Sequence, residues 1–144
     1  MRARVQRVTR ASVVVDGETV AAISAGILVL LGVTHSDDRA GAERLAAKVR
    51  ALRIFPGADG RMNEPLGDRD VLCVSQFTLY ADTRRGTRPG FTEAAEPEQA
   101  RALYEHFCDR IGAARGRFGA DMAVELVNDG PVTVMLDTAA VAGG

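Results

Sequence analysis

Two short polar stretches of the chain carry the side chains whose types and spacing could do chemistry. The first runs from Ser75 to Leu79, inside a strand predicted for Val71 to Tyr80. Because side chains alternate along a strand, Gln76 and Thr78 are expected on one face, where they offer an amide and a hydroxyl to a ligand. A solvent-facing or cross-strand polar pair explains the same pattern, and this alternative stays open.

The second stretch, Asn128 to Thr133, combines turn-forming residues with a Gly130-Pro131 bond. At an X-Pro bond a cis peptide costs only about 0.5–1 kcal/mol more than trans, so a cis bond is accessible here. Its two carbonyl oxygens would point in one direction and form a rigid receptor for an ammonium group. A receptor made of backbone would be insensitive to the side chain of the substrate. A plain hairpin turn is the alternative interpretation.

Familiar catalytic groups are largely missing from the sequence. His35 and His106 have no partner at metal-binding spacing, and Cys73 and Cys108 are far apart without a CxxC pair. We therefore expect neither a metal site nor a disulfide framework, and Cys73 is predicted to be a small core residue. The sequence has no GxSxG elbow, no P-loop and no GxGxxG after a strand. An enzyme built from these residues would use hydroxyls, amides and backbone dipoles, and would be limited to activated substrates.

Charge and length exclude several classes of protein. The 144 residues carry 18 Lys and Arg against 19 Asp and Glu, for a net charge of −1. This excludes a globally basic nucleic-acid binder but not a local basic patch, such as one formed by Arg84, Arg85 and Arg88. Solvated surface positions are the alternative for these arginines. The most apolar run, Gly26 to Val33, is far below the ~20 residues that span a membrane, so we expect one soluble, cytoplasmic domain over residues 1–144.

Hydrophobic patterning predicts three strands in the first third of the chain. Asp16-Gly17 is typical of a hairpin turn, with a strand ending at Val15 before it and a return strand over Glu18 to Ile23 after it. Ile27 to Val33 is continuously apolar, as expected for a strand that is buried on both faces. Together the three strands suggest an antiparallel meander.

Two helices and further strands complete the prediction. Ser36 is expected to cap the first helix, and Pro97 to begin a second helix that ends near Gly112 to Gly116. Strands are also expected at Val71 to Tyr80, around Met122 to Leu126 and at Val132 to Leu136, with Asn128 to Pro131 as the turn between the last two. The predicted fold class is α+β, with mainly antiparallel sheet.

The two polar stretches together resemble the two signature motifs of the bacterial and eukaryotic D-aminoacyl-tRNA deacylases. The resemblance extends over nearly the whole chain. It includes Val5-Gln6-Arg7-Val8, Leu52 to Phe55 with Met62-Asn63, Gly86 to Phe91, and Phe118 to Met122. The chain departs from the family at Thr87 and Gly90, in the arginine-proline loop. The family fold would be α+β, with mainly antiparallel sheets packed as β/β/α layers or as a barrel-like core with two main helices.

The resemblance implies a function in chiral proofreading during translation. Such proteins hydrolyse the ester that joins a D-amino acid, or glycine mischarged on the alanine tRNA, to the 3′ end of tRNA. They are homodimers that act without a metal or cofactor and are not expected to bind DNA or membranes. The Gly130-Pro131 bond would be cis and would enter the partner's site, where its carbonyls hold the amino group and exclude an L side chain.

The resemblance also assigns roles to single residues. Gln76 and Thr78 would be catalytic, and Arg7 would orient the Gly-Pro motif. The substrate-binding residues would be Ser75, Phe77, Met122, Gly130 and Pro131. Thr78 could act as a nucleophile, or the 2′-hydroxyl of the tRNA could move the proton. Backbone N–H groups near Phe77 and Thr78 are candidates for binding the oxyanion.

Three other classes of function remain as alternatives. The chain could be a non-catalytic RNA-binding module, although both signature motifs are intact. It could be a small esterase or amidase that acts on free D-amino acid esters without RNA. A purely structural dimer is also compatible with the composition.

Overall fold

A computed structural model describes residues 1–140 of the chain, in which two helices pack on a six-stranded mixed sheet. The strands are β1 (Arg2–Val15), β2 (Glu18–Ile23), β3 (Gly26–Gly32), β4 (Phe55–Pro56), β5 (Met62–Glu64), β6 (Asp70–Ser75), β7 (Ala114–Arg115) and β8 (Ala123–Asp137). The helices are α1 (Arg39–Ala51) and α2 (Pro97–Ile111), and a 3₁₀ turn covers Phe77–Tyr80.

The long strand β1 organises the large sheet. Its first half pairs with β3, its second half pairs with β2, and its other edge pairs with β8 along nearly the whole length, all antiparallel. β6 then pairs with β3 and β7 pairs with β6, both in parallel. The predicted meander is therefore wrong, because β1 is long enough to hold both β2 and β3. The predicted α+β class is confirmed, with two parallel pairs that the sequence did not reveal.

The sheet curls until β2 lies against β6 and β7, which gives a nearly closed, barrel-like form. Apolar side chains fill the inside of the curl, among them Val8, Val13, Leu28 and Leu72. A second core lies between the sheet and the two helices, and includes Leu45, Val49, Leu103 and Phe107. Burying each such side chain contributes about 1.5–3 kcal/mol. Cys73 is fully buried in this second core, as predicted.

The helix starts follow from local capping. Asp38, rather than the predicted Ser36, caps α1, and its carboxylate accepts a hydrogen bond from the Gly41 N–H at 2.8 Å. Pro97 stands at the start of α2 as predicted, where a missing N–H costs nothing, and α2 ends at Gly112 with φ +76°. Within residues 1–140, no helix is long and apolar enough to cross a membrane.

Candidate active site

The strand predicted for Val71 to Tyr80 ends halfway. β6 stops at Ser75, the N–H of Gln76 donates to the Leu31 carbonyl at 2.8 Å, and the chain then enters the 3₁₀ turn. The prediction of a continuous strand was wrong because small polar residues after an apolar run fit a turn at a sheet end as well as they fit a strand face. The turn brings the polar residues to the sheet edge.

The 3₁₀ turn is fastened to β1 by one side chain. The Arg2 guanidinium donates to the carbonyl of Leu79 at 2.8 Å and lies 4.4 Å from the ring centroid of Tyr80. Tyr80 is buried, and this burial raises the pKa of its phenol well above the usual range. The turn is therefore anchored at its C-terminal end while its N-terminal end faces solvent.

The polar pair predicted from the sequence is present, although a turn rather than a strand creates it. The side-chain amide of Gln76 donates a hydrogen bond to the hydroxyl of Thr78. Among residues 1–140, the backbone N–H groups of Phe77 and Thr78 donate to no other residue. The turn thus presents an amide, a hydroxyl and two free N–H groups within three residues.

A cavity of about 600 Å³ opens beside this turn. Ser75, Gln76 and Phe77 line one part of it and Met122 lines another. The predicted roles of Ser75, Phe77 and Met122 in substrate binding, and of Gln76 in catalysis, stay predictions. Gly116 makes room for Met122, because a Cβ at Gly116 would lie 2.8 Å from the methionine sulfur. Sequence reasoning assigned no role in the site to several further lining residues, among them Phe91, Ala95, Glu96, Ala100, Phe118 and Asp121.

One signal could have found Phe91. Phe91 is an aromatic residue directly after a polar, arginine-rich loop, and the residue is 39% exposed. It packs edge-on against Phe77, which is 55% exposed, with ring centroids 5.0 Å apart. Two exposed aromatic rings at the mouth of a mainly apolar cavity can bind a flat ligand group.

The second polar stretch forms an outward bulge rather than a hairpin turn. Both flanking segments belong to β8 and pair with β1, where Gln6 faces Thr133 and Val8 faces Asn128. The residues between Asn128 and Thr133 therefore leave the ladder. Asn128 closes the bulge, because its side chain accepts from the Val132 N–H at 3.2 Å and donates to the Thr133 hydroxyl at 3.0 Å.

Arg7 lies beneath this bulge and connects it to the rest of the protein. Its guanidinium donates to the carbonyl of Ile54 at 2.7 Å and to that of Asp129 at 3.2 Å, and it pairs with the Asp129 carboxylate at 3.3 Å. The Gly130–Pro131 peptide bond is cis, and both residues are exposed. Arg7 thus contacts the residue that precedes the Gly-Pro pair.

The predicted site residues fall into two separate groups. Ser75, Gln76, Phe77 and Met122 line the cavity, whereas Thr78 is not among its lining residues and is connected to it through the hydrogen bond from Gln76. Arg7, Gly130 and Pro131 do not line this cavity in the described part of the same chain. The sequence cannot show this separation, because it depends on where β8 pairs with β1.

Neither histidine contributes to either group. The ring of His106 is 2.8 Å from the carboxylate of Glu43, and this hydrogen bond lowers the pKa of Glu43. His35 contacts the carbonyl of Thr92 at 2.7 Å. In residues 1–140 no group of three or more His, Cys, Asp or Glu is placed to hold a metal ion. The expected absence of a metal and of a cofactor stays a prediction.

Solved structures with the same architecture are known. One named c-Myc DNA Unwinding Element Binding Protein superposes with a TM-score of 0.90 at 40% identity, covering 95% of this chain and 98% of that chain. Another, described as a structural analysis of a probable eukaryotic D-amino acid tRNA deacylase, has a TM-score of 0.80 at 16% identity, covering 94% and 97%. The second likeness shows the fold alone.

Comparison of sequences identifies the family more specifically than comparison of structures does. A protein from Symbiobacterium thermophilum named D-aminoacyl-tRNA deacylase is 53% identical over 145 residues, covering 96% of both chains. A protein of the same name from Thermomicrobium roseum is 54% identical over 151 residues, covering 100% of this chain and 98% of the relative. The family model for D-Tyr-tRNA(Tyr) deacylase matches residues 4–137. With its fold, both polar stretches and nearly all of its length matched, the chain belongs to the D-Tyr-tRNA(Tyr) deacylase family of hydrolases.

Proposed function

We propose that this protein hydrolyses the ester that joins a D-amino acid to the 3′-terminal ribose of tRNA. The main support is the cavity of about 600 Å³ bordered by Ser75, Gln76 and Phe77, in a chain 53% identical to a protein named D-aminoacyl-tRNA deacylase. A cavity of this size accommodates an aminoacyl group and a nucleoside. The same site would remove glycine mischarged on the alanine tRNA, and the protein would work in the cytoplasm.

The reaction requires stabilisation of charge more than a strong nucleophile. Water adds to the ester carbonyl carbon, the bond to the ribose 3′ oxygen breaks, and a proton from the water passes to that oxygen. The negative charge that develops on the carbonyl oxygen needs hydrogen-bond donors, and the free N–H groups of Phe77 and Thr78 can supply them. Removal of one such donor typically costs about 10²–10³ in rate.

The proton is transferred by the 2′-hydroxyl of the substrate. A threonine nucleophile needs a base to accept its proton, and among residues 1–140 the described partner of the Thr78 hydroxyl is the side-chain amide of Gln76. An amide is not a base at neutral pH. The neighbouring 2′-hydroxyl lies on the same ribose as the leaving oxygen and can relay the proton without help from the protein.

Two changes separate these routes. Thr78→Ala should retain substantial hydrolysis of D-Tyr-tRNA, whereas a substrate that ends in 2′-deoxyadenosine should lose most of it. Single-turnover rates at saturating enzyme measure the chemical step directly. Near-complete loss of activity in folded Thr78→Ala, together with normal hydrolysis of the 2′-deoxy substrate, would show that Thr78 is the nucleophile.

Selection of D over L substrates depends on a second copy of the chain. Gly130 and Pro131 are exposed and do not line the cavity of their own chain within residues 1–140, so they are available to enter the cavity of a partner in a homodimer. There their carbonyl oxygens would bind the ammonium group of the substrate and occupy the space of an L side chain. Because backbone atoms would do the excluding, L substrates with many different side chains would be rejected in the same way.

Mixed dimers test this arrangement. Gln76→Ala impairs the cavity, and Gly130→Ala impairs the motif. If the motif acts in the partner, refolding the two variants together at equal amounts gives mixed dimers with one intact site, and about a quarter of wild-type activity returns. If the motif acts in its own chain, no intact site forms and the mixture stays at the level of the single variants.

Paired deacylation tests the function itself. Purified protein is incubated with D-Tyr-tRNA and with L-Tyr-tRNA, with and without a chelator. Loss of the D ester alone, at the same rate with chelator, supports a chiral deacylase that needs no metal. Stability of both esters in the presence of folded dimer would refute the proposal, and equal activity on a short D-tyrosyl ester would point to an esterase that ignores RNA.

A second candidate is DNA binding, which the name of the solved structure at 40% identity favours. The net charge of −1 does not favour binding to duplex DNA. A duplex DNA added in excess should leave D-Tyr-tRNA hydrolysis unchanged. Inhibition at micromolar DNA would favour this candidate.

A further inference from the structure

The loop between Asp82 and Gly90 is a basic surface feature that the proposed chemistry does not use. All residues from Thr83 to Pro89 are exposed, and a Cβ placed at Gly86 or Gly90 would meet no atom within 4 Å. Two backbone hydrogen bonds close the base of the loop, from the Asp82 N–H to the Gly90 carbonyl at 2.7 Å and in reverse at 2.9 Å. The loop therefore projects into solvent from a defined position.

The loop carries positive charge that the rest of the described chain does not neutralise. Arg84 donates two hydrogen bonds to the carboxylate of Asp82, at 2.8 and 2.9 Å, so these two charges compensate each other. Among residues 1–140, no carboxylate pairs with Arg85 or Arg88. Two free guanidinium groups on one short loop form a local anion-binding surface in a chain whose net charge is −1.

The base of this loop is joined to the mouth of the cavity. Phe91 follows Gly90 directly, its ring packs against Phe77, and both rings line the cavity. A nucleic acid whose terminal ester lies in the cavity must lead away from this mouth. Exposed aromatic rings beside free arginines are the features by which proteins hold single-stranded nucleic acid.

We infer that Arg85 and Arg88 bind the phosphates of the single-stranded 3′ end of tRNA, just before the nucleotide that carries the ester. This inference rests on the proposed function for the identity of the substrate. The guanidinium fork suits phosphate oxygens, and contacts to phosphates give affinity without dependence on the amino acid or the base sequence. The loop would thus position the tRNA end while the cavity reads the aminoacyl group.

The test compares the double variant Arg85→Ala/Arg88→Ala with a matched control, Arg44→Ala/Lys48→Ala. The control removes two exposed positive charges from α1, which keeps the net charge of the two variants equal. Each protein is assayed on D-Tyr-tRNA and on 3′-D-tyrosyl-adenosine, which has no phosphate. The loop variant should raise KM for D-Tyr-tRNA about tenfold at similar kcat, and should leave the adenosine ester unchanged.

Salt dependence provides a second measurement. Two phosphate contacts to a single strand contribute about 1.4 to the slope of log(kcat/KM) against log[salt]. The slope for D-Tyr-tRNA should become shallower by that amount in the loop variant and stay at the wild-type value in the α1 control. An unchanged KM and slope in the loop variant, or equal changes in both variants, would overturn the inference.

A binding assay separates failure of this inference from failure of the proposed function. Fluorescence anisotropy can measure binding of an RNA hairpin that ends in single-stranded CCA and carries no amino acid. This measurement requires no catalysis. The loop variant should bind this RNA about tenfold more weakly than the wild type and the α1 control. If the protein hydrolyses neither ester but this difference is observed, the proposed function fails and the phosphate contact stands. Equal binding by all three proteins would refute the contact.

Discussion

Replacing Arg7 tests how the Gly-Pro bulge is held in place. The side chain of Arg7 is only 12% exposed and donates to two backbone carbonyls, those of Ile54 and Asp129, at 2.7 and 3.2 Å. A hydrogen bond from a charged donor contributes about 1.5–3 kcal/mol, and the longer bond is expected at the lower end. The ion pair with the Asp129 carboxylate, which is 47% exposed, adds less than about 1 kcal/mol.

Arg7→Ala should therefore lower the free energy of unfolding by about 3–5 kcal/mol. In a chain of this length that corresponds to a fall in Tm of about 6–20 °C. Arg10→Ala is the matched control on the same strand, because Arg10 is exposed and makes no side-chain hydrogen bond within residues 1–140. Its unfolding free energy should stay within about 0.5 kcal/mol of the wild type.

Measurements of activity distinguish a role of Arg7 in positioning the Gly-Pro bulge from a role in the stability of the whole fold. Arg7→Lys keeps the charge but not the fork that spans two carbonyls, so the bulge should lose its orientation. Hydrolysis of D-Tyr-tRNA by folded Arg7→Lys at 20 °C should fall about 10²-fold in kcat/KM, the cost of a misplacement near 1 Å. Differential scanning calorimetry and deacylation kinetics measure the two effects. Wild-type Tm in Arg7→Ala, or wild-type kcat/KM in Arg7→Lys, would refute the reasoning.

Two further predictions concern backbone strain and pH. Gly130 has φ +124°, and a Cβ there would lie 2.9 Å from the Val132 side chain. Gly130→Ala should therefore lower the free energy of unfolding, measured in urea, by about 1–3 kcal/mol. The control Gly90→Ala, at an open position, should leave it nearly unchanged. Equal urea midpoints for the two variants would contradict the predicted strain at Gly130. Hydrogen bonds from the Arg84 side chain and backbone N–H lower the pKa of Asp82 to about 2. This pair is therefore intact above the usual carboxyl pKa of about 3.9 and is lost as the pH falls towards 2. In an NMR titration, Arg84→Ala should raise the pKa of Asp82, and a wild-type midpoint near 4 would be inconsistent with the pairing.

Local chemistry made several elements predictable. Asp16 and Gly17 both adopt positive φ, of 50° and 78°, in the hairpin that their types predict. Pro97 begins α2 because its fixed φ suits the first helical turn. The two polar stretches led to the family because their residue types and spacing are specific, and this needed no knowledge of the fold.

Other local predictions failed where neighbouring residues are compatible with two conformations. Ser36 and Asp38 can both cap a helix, and the structure uses Asp38. The polar residues after Ser75 fit a strand or a turn, and the end of pairing with β3 decides for the turn. Asn128 to Thr133 fits a hairpin or a bulge, and pairing of both flanks with β1 decides for the bulge.

Non-local pairing alone determined the arrangement of the site. Gln76, with Thr78 hydrogen-bonded to it, lines the cavity because β6 ends there. Arg7 and the Gly-Pro bulge lie elsewhere because β1 pairs with β8. Backbone dihedral preferences act over a few residues, so composition and spacing can encode a turn, a cap or a motif. The partner of a strand depends on contacts more than a hundred residues apart in the chain, such as Gln6 with Thr133, and only the folded structure reveals them.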